Sequence, residues 1–318
     1  MKALCFRSFG GPEVLRLEEV ADPVPGPGEA LVRTAAIGLN FADVYRRKGT
    51  YHLAGEPPWI AGYEAAGVVE DPNGCDLAPG TRVAFADSPF ANAERVAVPF
   101  DKLIPLPEAI SFETAAALLL QGLTAQYLLR DSHAVRAGET ILVHAAAGGV
   151  GLLLVQLARS RGARVIGLTS SAAKAAAARE AGAEAVALYA SDWVAEVRAW
   201  SGGGVDVAYD SVGSTLPQSF EAVRTGGRVV FYGMAGGDPP PVDPRMLMDT
   251  SKTLTGGDLW NVLTSRSERL ARAAELFEAV ARGALRVRID RAFTLAEGVA
   301  AHAFLEGRGA LGKVLLIP

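Results

Sequence analysis

The sequence predicts an α/β protein of two domains, one β-rich and irregular, the other a parallel sheet with helices on both faces. Three observations predict it. The chain has 318 residues, beyond the usual size of one domain. Residues 123–262 alternate short apolar runs with helical stretches, the pattern of βαβ units. The stretch Thr140 to Arg159, TILVHAAAGGVGLLLVQLAR, reads as a buried strand, a glycine turn and a helix.

That stretch organises the rest. Ile141 to Val143 form the apolar strand, Ala145 to Gly151 the turn, and Leu152 to Ala158 the helical run, ending at Arg159 and Ser160. N–H groups in a helix's first turn lack intrahelical partners, and the peptide dipoles add positive charge, so the turn suits an anion. Gly148 and Gly149 have no Cβ and let a pyrophosphate approach the main chain, and Gly151 lets helix and strand pack closely. The spacing Ala145-x-x-Gly148-x-x-Gly151 departs from G-x-G-x-x-G at its first position, and by itself fits a merely structural turn as well. Ile141 to Ala158 is apolar enough to raise a membrane span, but His144, Gln156 and the Ala/Gly turn argue against one.

In chain order, Lys2–Phe6, Ala30–Ala36, Ala66–Glu70 and Arg82–Ala86 read as strands, separated by turns such as Asp22 to Gly28 and Asp71 to Gly74. Ser111 caps a helix over Glu113–Leu119. Strands then follow at Arg164–Thr169, Ala185–Leu188, Val205–Asp210 and Gly227–Tyr232, with a further one at Lys252–Thr255. Helices lie between them at Ala172–Ala181, stopped by Gly182, at Asp192–Trp200 and at Pro217–Arg224. The tail holds a helix near Ser267–Ala281, a strand at Val287–Ile289, a helix at Ala296–Leu305 and a strand at Lys313–Ile317, and is expected to return to the first domain. The domains are therefore 1–122 with 263–318, and 123–262.

Half the residues are hydrophobic and 21% are charged, enough for a large core and too apolar for disorder. A net charge of −4, without a Lys/Arg block, argues against nucleic-acid binding. Cys5 and Cys75 are too few for a disulfide framework or a four-thiolate zinc site and suit a reducing cytosol. The N-terminal MKALCFRSFGG lacks the apolar stretch of a secretion signal, so a cytoplasmic protein is expected.

The second strand after the turn should end at an adenosine ribose, where Asp or Glu would select a 2′-hydroxyl. No Asp or Glu occurs between Arg161 and Glu180. Thr169, Ser170 and Ser171 end the strand and Lys174 lies one turn on, groups that attract a 2′-phosphate. The pattern favours NADPH over NADH. The competing reading makes Ser170 or Ser171 a helix cap and Lys174 a solvated charge.

HAAAGGVG, GLNFADVYRRKGTY, GYEAAGVV, QGLTAQYLL and YDSVG occur in this order across nearly the whole chain. Together they resemble the zinc-free quinone oxidoreductases, the zeta-crystallin group of the medium-chain dehydrogenase/reductase superfamily. The resemblance implies a GroES-like β-rich domain for substrate and a Rossmann doubly wound parallel sheet for NADPH. It implies that Gly149 and Val150 meet the pyrophosphate, with Gly148 and Gly151 shaping the turn, and that Ser170, Ser171 and Lys174 meet the 2′-phosphate. It sets Tyr189 beside the adenosine, Gly233 and Met234 along the nicotinamide half, and Phe41, Asp43 and Tyr45 at the nicotinamide end, with Arg308 reaching the cofactor. It also implies a homodimer joined through the Rossmann domains near Val229–Tyr232.

Zinc alcohol dehydrogenases of the superfamily carry Cys and His where this chain has Asn40 and Tyr63, so no metal is expected. Without a Lewis acid, an electrophilic quinone is an easier acceptor than an alcohol is a donor. Tyr63 replaces a residue that is commonly smaller in the group and would narrow the pocket. Asn40, Tyr45 and Tyr51 are the catalytic candidates: Asn40 to hydrogen-bond a carbonyl, the tyrosines to stack or to donate a proton. Against these stand a local turn bond for Asn40 and ordinary half-buried packing for each tyrosine. Asp43 reads better as a helix cap than as an acid, and His144 as a partner for local backbone groups. Two alternatives to quinone reduction remain: NADPH-dependent reduction of a conjugated enone, alkenal or enoyl thioester, and a non-catalytic, crystallin-like NADPH-binding role.

Overall fold

The computed structural model describes all 318 residues. The chain divides into two compact units, Met1–Leu120 with Leu263–Pro318, and Gln121–Val262.

The first unit is built around Glu29–Leu39, whose burial alternates before every residue from Ile37 on is covered. It pairs antiparallel with Glu64–Asp71, with Arg95–Pro99 and with the chain's last strand, Lys313–Ile317. These lie in a seven-stranded sheet with Arg82–Ala86, Ile104–Pro105 and Ile289–Thr294. The tail thus lies in this unit. Leu4, Phe6, Ile37, Leu39, Phe85, Val314 and Leu316 share one buried core.

The second unit carries six parallel strands that stand, in chain order, as 3-2-1-4-5-6. This is the doubly wound order of a dinucleotide-binding sheet, with its switch point beside the first strand, Thr140–Val143. The helices are stopped locally: Ser171 Oγ accepts from Lys174 N at 3.4 Å to open Ala172–Ala181, and Gly182, at φ 114°, closes it. Leu142, Leu168, Trp193, Val197 and Phe220 fill the core on one face.

Several expectations shift. The fifth strand runs Val223–Phe231, starting earlier than Gly227, and the helix before it is correspondingly shorter, Leu216–Ala222. The tail strand is Ile289–Thr294 rather than Val287–Ile289, because parallel pairing to Lys313–Ile317 selects its register. Arg16–Glu19, Arg95–Pro99 and the helices Phe41–Arg47 and Pro244–Thr250 were not expected; each is too short to show a period. Val229–Tyr232, the expected dimer strand, overlaps a strand paired on both sides, while Thr253–Gly256 forms the outer edge.

Candidate functional site

In the nucleotide-binding unit the turn opens the Gly149–Ser160 helix, whose first bond runs from Leu152 N to the Gly148 carbonyl at 2.9 Å. Ala145, Ala146 and Gly148 already give their N–H groups to Tyr189, Leu168 and Ala145, so the N–H groups from Gly149 to Gly151 are those left for an anion. Ala145, at the position where glycine is usual, has φ 47°. A left-handed alanine is strained, and its N–H donates to the Tyr189 hydroxyl at 3.0 Å. A Cβ on Gly151 would stand 2.3 Å from the Ala145 carbonyl oxygen, so only glycine fits there. The atoms nearest a Cβ on Gly149 would be those of the Gln121 side chain. The cradle fits a pyrophosphate: a helix N-terminus, no charged side chain in the turn, and no Cβ where the anion approaches.

Ser170 and Ser171 are exposed at the end of the second strand and Lys174 is half-buried. Ser171 is the helix cap, so its hydroxyl already accepts one backbone N–H. Gly233 and Met234 follow the fifth strand, where Tyr232 N bonds the Asp210 carbonyl at 3.0 Å and Ala235 N bonds the Ser211 carbonyl at 3.0 Å. His144 meets side chains rather than the backbone groups expected: Ser219 Oγ at 3.0 Å from Nε2, and Thr215 Oγ1 and the Tyr189 hydroxyl at 3.3 and 3.4 Å from Nδ1.

In the other unit, Asn40 ends the central strand and caps the Phe41–Arg47 helix. Its N–H donates to Asp43 Oδ2 at 2.9 Å, and Asp43 N donates to the Asn40 carbonyl at 3.0 Å, so Asp43 does cap the helix. Burial pushes the Asp43 carboxyl up, opposed by the Arg46 guanidinium, whose Nη1 lies 3.4 Å from Oδ1. The Asn40 side chain is spent inside the protein. Nδ2 donates to Glu64 Oε2 at 2.9 Å and to the Gly38 carbonyl at 3.2 Å, and Oδ1 accepts from Lys313 Nζ at 2.8 Å. Lys313 Nζ also lies 2.6 Å from Glu64 Oε2, and Glu64 Oε1 accepts from Leu120 N at 2.6 Å. Both amide hydrogens of Asn40 are thus given to groups within the protein.

An aromatic wall follows on the same helix. Phe41 and Tyr45 lie 6.2 Å apart between ring centroids, and Tyr51 meets Tyr45 edge-on at 6.3 Å. Arg46 stacks on Tyr63 at 3.4 Å, lies 5.1 Å from the Tyr51 centroid, and donates from Nε to the His52 carbonyl at 3.1 Å. The Tyr63 hydroxyl accepts from Ala54 N at 3.1 Å, so Tyr63 and Arg46 together strap the segment carrying Tyr51. Sequence reasoning missed Arg46, Glu64 and Lys313; the only local signal was the pair of adjacent arginines in a short apolar helix. Arg308 is exposed at φ 56° just after the last helix. No three His, Cys, Asp or Glu side chains gather as a metal set.

A doubly wound sheet with such a turn, carried in one chain with a second, β-rich unit, defines a dinucleotide-dependent oxidoreductase. Residues 26–139 match the alcohol dehydrogenase GroES-like domain and 149–279 the zinc-binding dehydrogenase domain. The chain is 40% identical to a quinone oxidoreductase of Pseudomonas aeruginosa, covering 100% of this chain and 99% of that one. It is also 40% identical to a 2-haloacrylate reductase of a Burkholderia species, covering 97% and 96%. The crystal structure of Escherichia coli quinone oxidoreductase complexed with NADPH superposes with a TM-score of 0.96 at 37% identity over 100% of both chains. The chain belongs to the quinone oxidoreductase family of the medium-chain dehydrogenase/reductase superfamily.

Proposed function

We infer that this chain is an NADPH:quinone oxidoreductase that works without zinc. The observation that carries the reading is the turn from Ala145 to Gly151, followed by a second strand that ends in hydroxyls and a lysine instead of a carboxylate. NADPH supplies a hydride when bound; with one proton from water the acceptor becomes the quinol.

The residues of the chain bind and orient. The N–H groups from Gly149 to Gly151 hold the pyrophosphate, and Ser170 and Lys174, with what remains of the Ser171 hydroxyl, hold the 2′-phosphate. Tyr189 serves the adenosine half, Gly233 and Met234 the nicotinamide half, and Arg308 reaches the cofactor. Phe41, Asp43 and Tyr45 serve the nicotinamide end. Tyr45 and Tyr51 face the acceptor as stacking or proton-donating groups, with Asn40 fixing the start of their helix. A metal is not needed, because a quinol anion is stable enough to await water's proton.

The Burkholderia relative favours a second reading, reduction of a conjugated, electron-poor alkene. Steady-state rates with 9,10-phenanthrenequinone, a simple enone and an enoyl-CoA separate the two. Quinone turnover with NADPH is expected, and activity confined to an alkene or thioester refutes the first reading. Replacing Lys174 by Ala is expected to weaken NADPH about tenfold, the loss of one charge-assisted contact, and to leave NADH unchanged. Equal loss for both removes Lys174 from the 2′-phosphate. The free thiols of Cys5 and Cys75 suit a cytoplasmic protein. Thr253–Gly256, whose outer edge has no strand beside it, suits pairing with a second copy in a homodimer.

A further inference from the structure

Behind the nucleotide turn lies a chain of buried and half-buried side chains whose hydrogen-bond directions can be assigned. Ser219 Oγ donates to Asp210 Oδ2 at 2.6 Å, and Thr215 Oγ1 donates to the same oxygen at 2.9 Å. Each hydroxyl has one proton, so both are committed to Asp210. Ser219 Oγ, 3.0 Å from His144 Nε2, must then accept, which places the imidazole proton on Nε2. His144 Nδ1 is left as an acceptor. Thr215 has no proton to give it, so the donor is the Tyr189 hydroxyl at 3.4 Å. That hydroxyl in turn accepts the N–H of Ala145 at 3.0 Å. At the far end Asp210 Oδ1 accepts from Val212 N at 2.8 Å and Gly213 N at 3.1 Å.

His144, Asp210 and Ser219 are fully buried. Burial holds the imidazole below its ordinary range; burial also works to raise Asp210, but the bonds it accepts from Ser219, Gly213 and Val212 help hold it below the usual carboxylate range. The imidazole is neutral and the carboxylate ionised, the pairing that the bond directions require. The network ties together the ends of three parallel strands at the sheet's switch point: His144 after the first, Tyr189 after the third, Asp210 on the fourth.

We propose that Tyr189, His144, Ser219 and Asp210 act as a positioning chain that holds Ala145 left-handed and thereby sets the pyrophosphate cradle for any dinucleotide. The proposal rests on the NADPH reading of the turn and deepens it. It gives the Tyr189 hydroxyl to the turn, and it gives a binding role to Ser219 and His144, neither of which the cofactor reading uses.

The test is Tyr189→Phe, which removes one hydroxyl and keeps the ring, compared with Ser219→Ala and the double variant. Dissociation constants for NADPH and NADH are measured by calorimetry, with KM and kcat alongside. Losing one link of a buried chain is expected to weaken both dinucleotides by about tenfold. NADPH and NADH should suffer alike, since the pyrophosphate is common to them. The loss should fall in KM more than in kcat. The double variant should lose no more than the worse single variant, because one broken link already releases the turn. Unchanged affinity in Tyr189→Phe, a loss confined to NADPH, or additive losses would overturn the proposal. If the wild-type chain takes up neither dinucleotide, the cofactor reading itself falls, and this proposal with it.

Discussion

Replacing Lys313 by Met keeps the apolar stem and deletes the ammonium. In the native chain that ammonium lies 2.6 Å from Glu64 Oε2 and 2.8 Å from Asn40 Oδ1. Lys313 is 1% exposed and Glu64 0%. The variant leaves a carboxylate in the interior with only the Leu120 N–H and the Asn40 amide to face it. Breaking a buried pair from one side costs about 3–5 kcal/mol. At roughly 2–4 °C per kcal/mol for a unit of this size, the unit formed by Met1–Leu120 and Leu263–Pro318 should melt ~6–20 °C lower by scanning calorimetry of the whole chain. Adding Glu64→Gln removes the stranded charge while keeping an oxygen for Leu120 N, so the double variant should recover most of the loss. A single variant within about 2 °C of wild type, less than the shift for 1 kcal/mol, would refute the reasoning, as would strictly additive losses in the double variant.

Gly151→Ala forces a Cβ to 2.3 Å from the Ala145 carbonyl oxygen and 2.8 Å from Ala146 Cα, both backbone. It should therefore weaken NADPH and NADH by at least about tenfold in calorimetry, whereas Gly149→Ala, which meets a movable Gln121 amide, should cost less. His302 is fully buried, and burial, with the Arg47 charge beside it, takes its pKa down to about 3. The unfolded chain binds that proton near pH 6.5, so stability is full above that value and is lost as pH falls towards 3. Between pH 7 and 4.5 the wild type should lose ~2–3 kcal/mol more than His302→Leu in urea melts; parallel losses would show that His302 does not carry the acid sensitivity.

What could be read from the sequence follows the distance over which each contact acts. The turn from Ala145 to Gly151 was legible because its requirement is local: small residues, a strand before and a helix after. Ser171 as a cap and Gly182 as a stop were legible for the same reason. Ala145 looked like a departure from the glycine pattern. Its tolerance depends on Tyr189, 44 residues away, which no spacing rule includes. Lys313 and Glu64 are separated by 249 residues and Lys313 and Asn40 by 273, so the partners of the Asn40 amide could not be read from its neighbours in the chain. Tyr63 was legible as an unusual residue, but its Arg46 stack required the fold.

The strand that ends the chain lies between Ile289–Thr294 and Glu29–Leu39. During translation, the nucleotide-binding unit has all six of its strands as soon as residue 262 has left the ribosome. The first 120 residues cannot complete their sheet until the final strand emerges, and until then Ile37–Leu39 lack their partner on that side. The interval between those two events is when a nascent chain of this design most needs a chaperone.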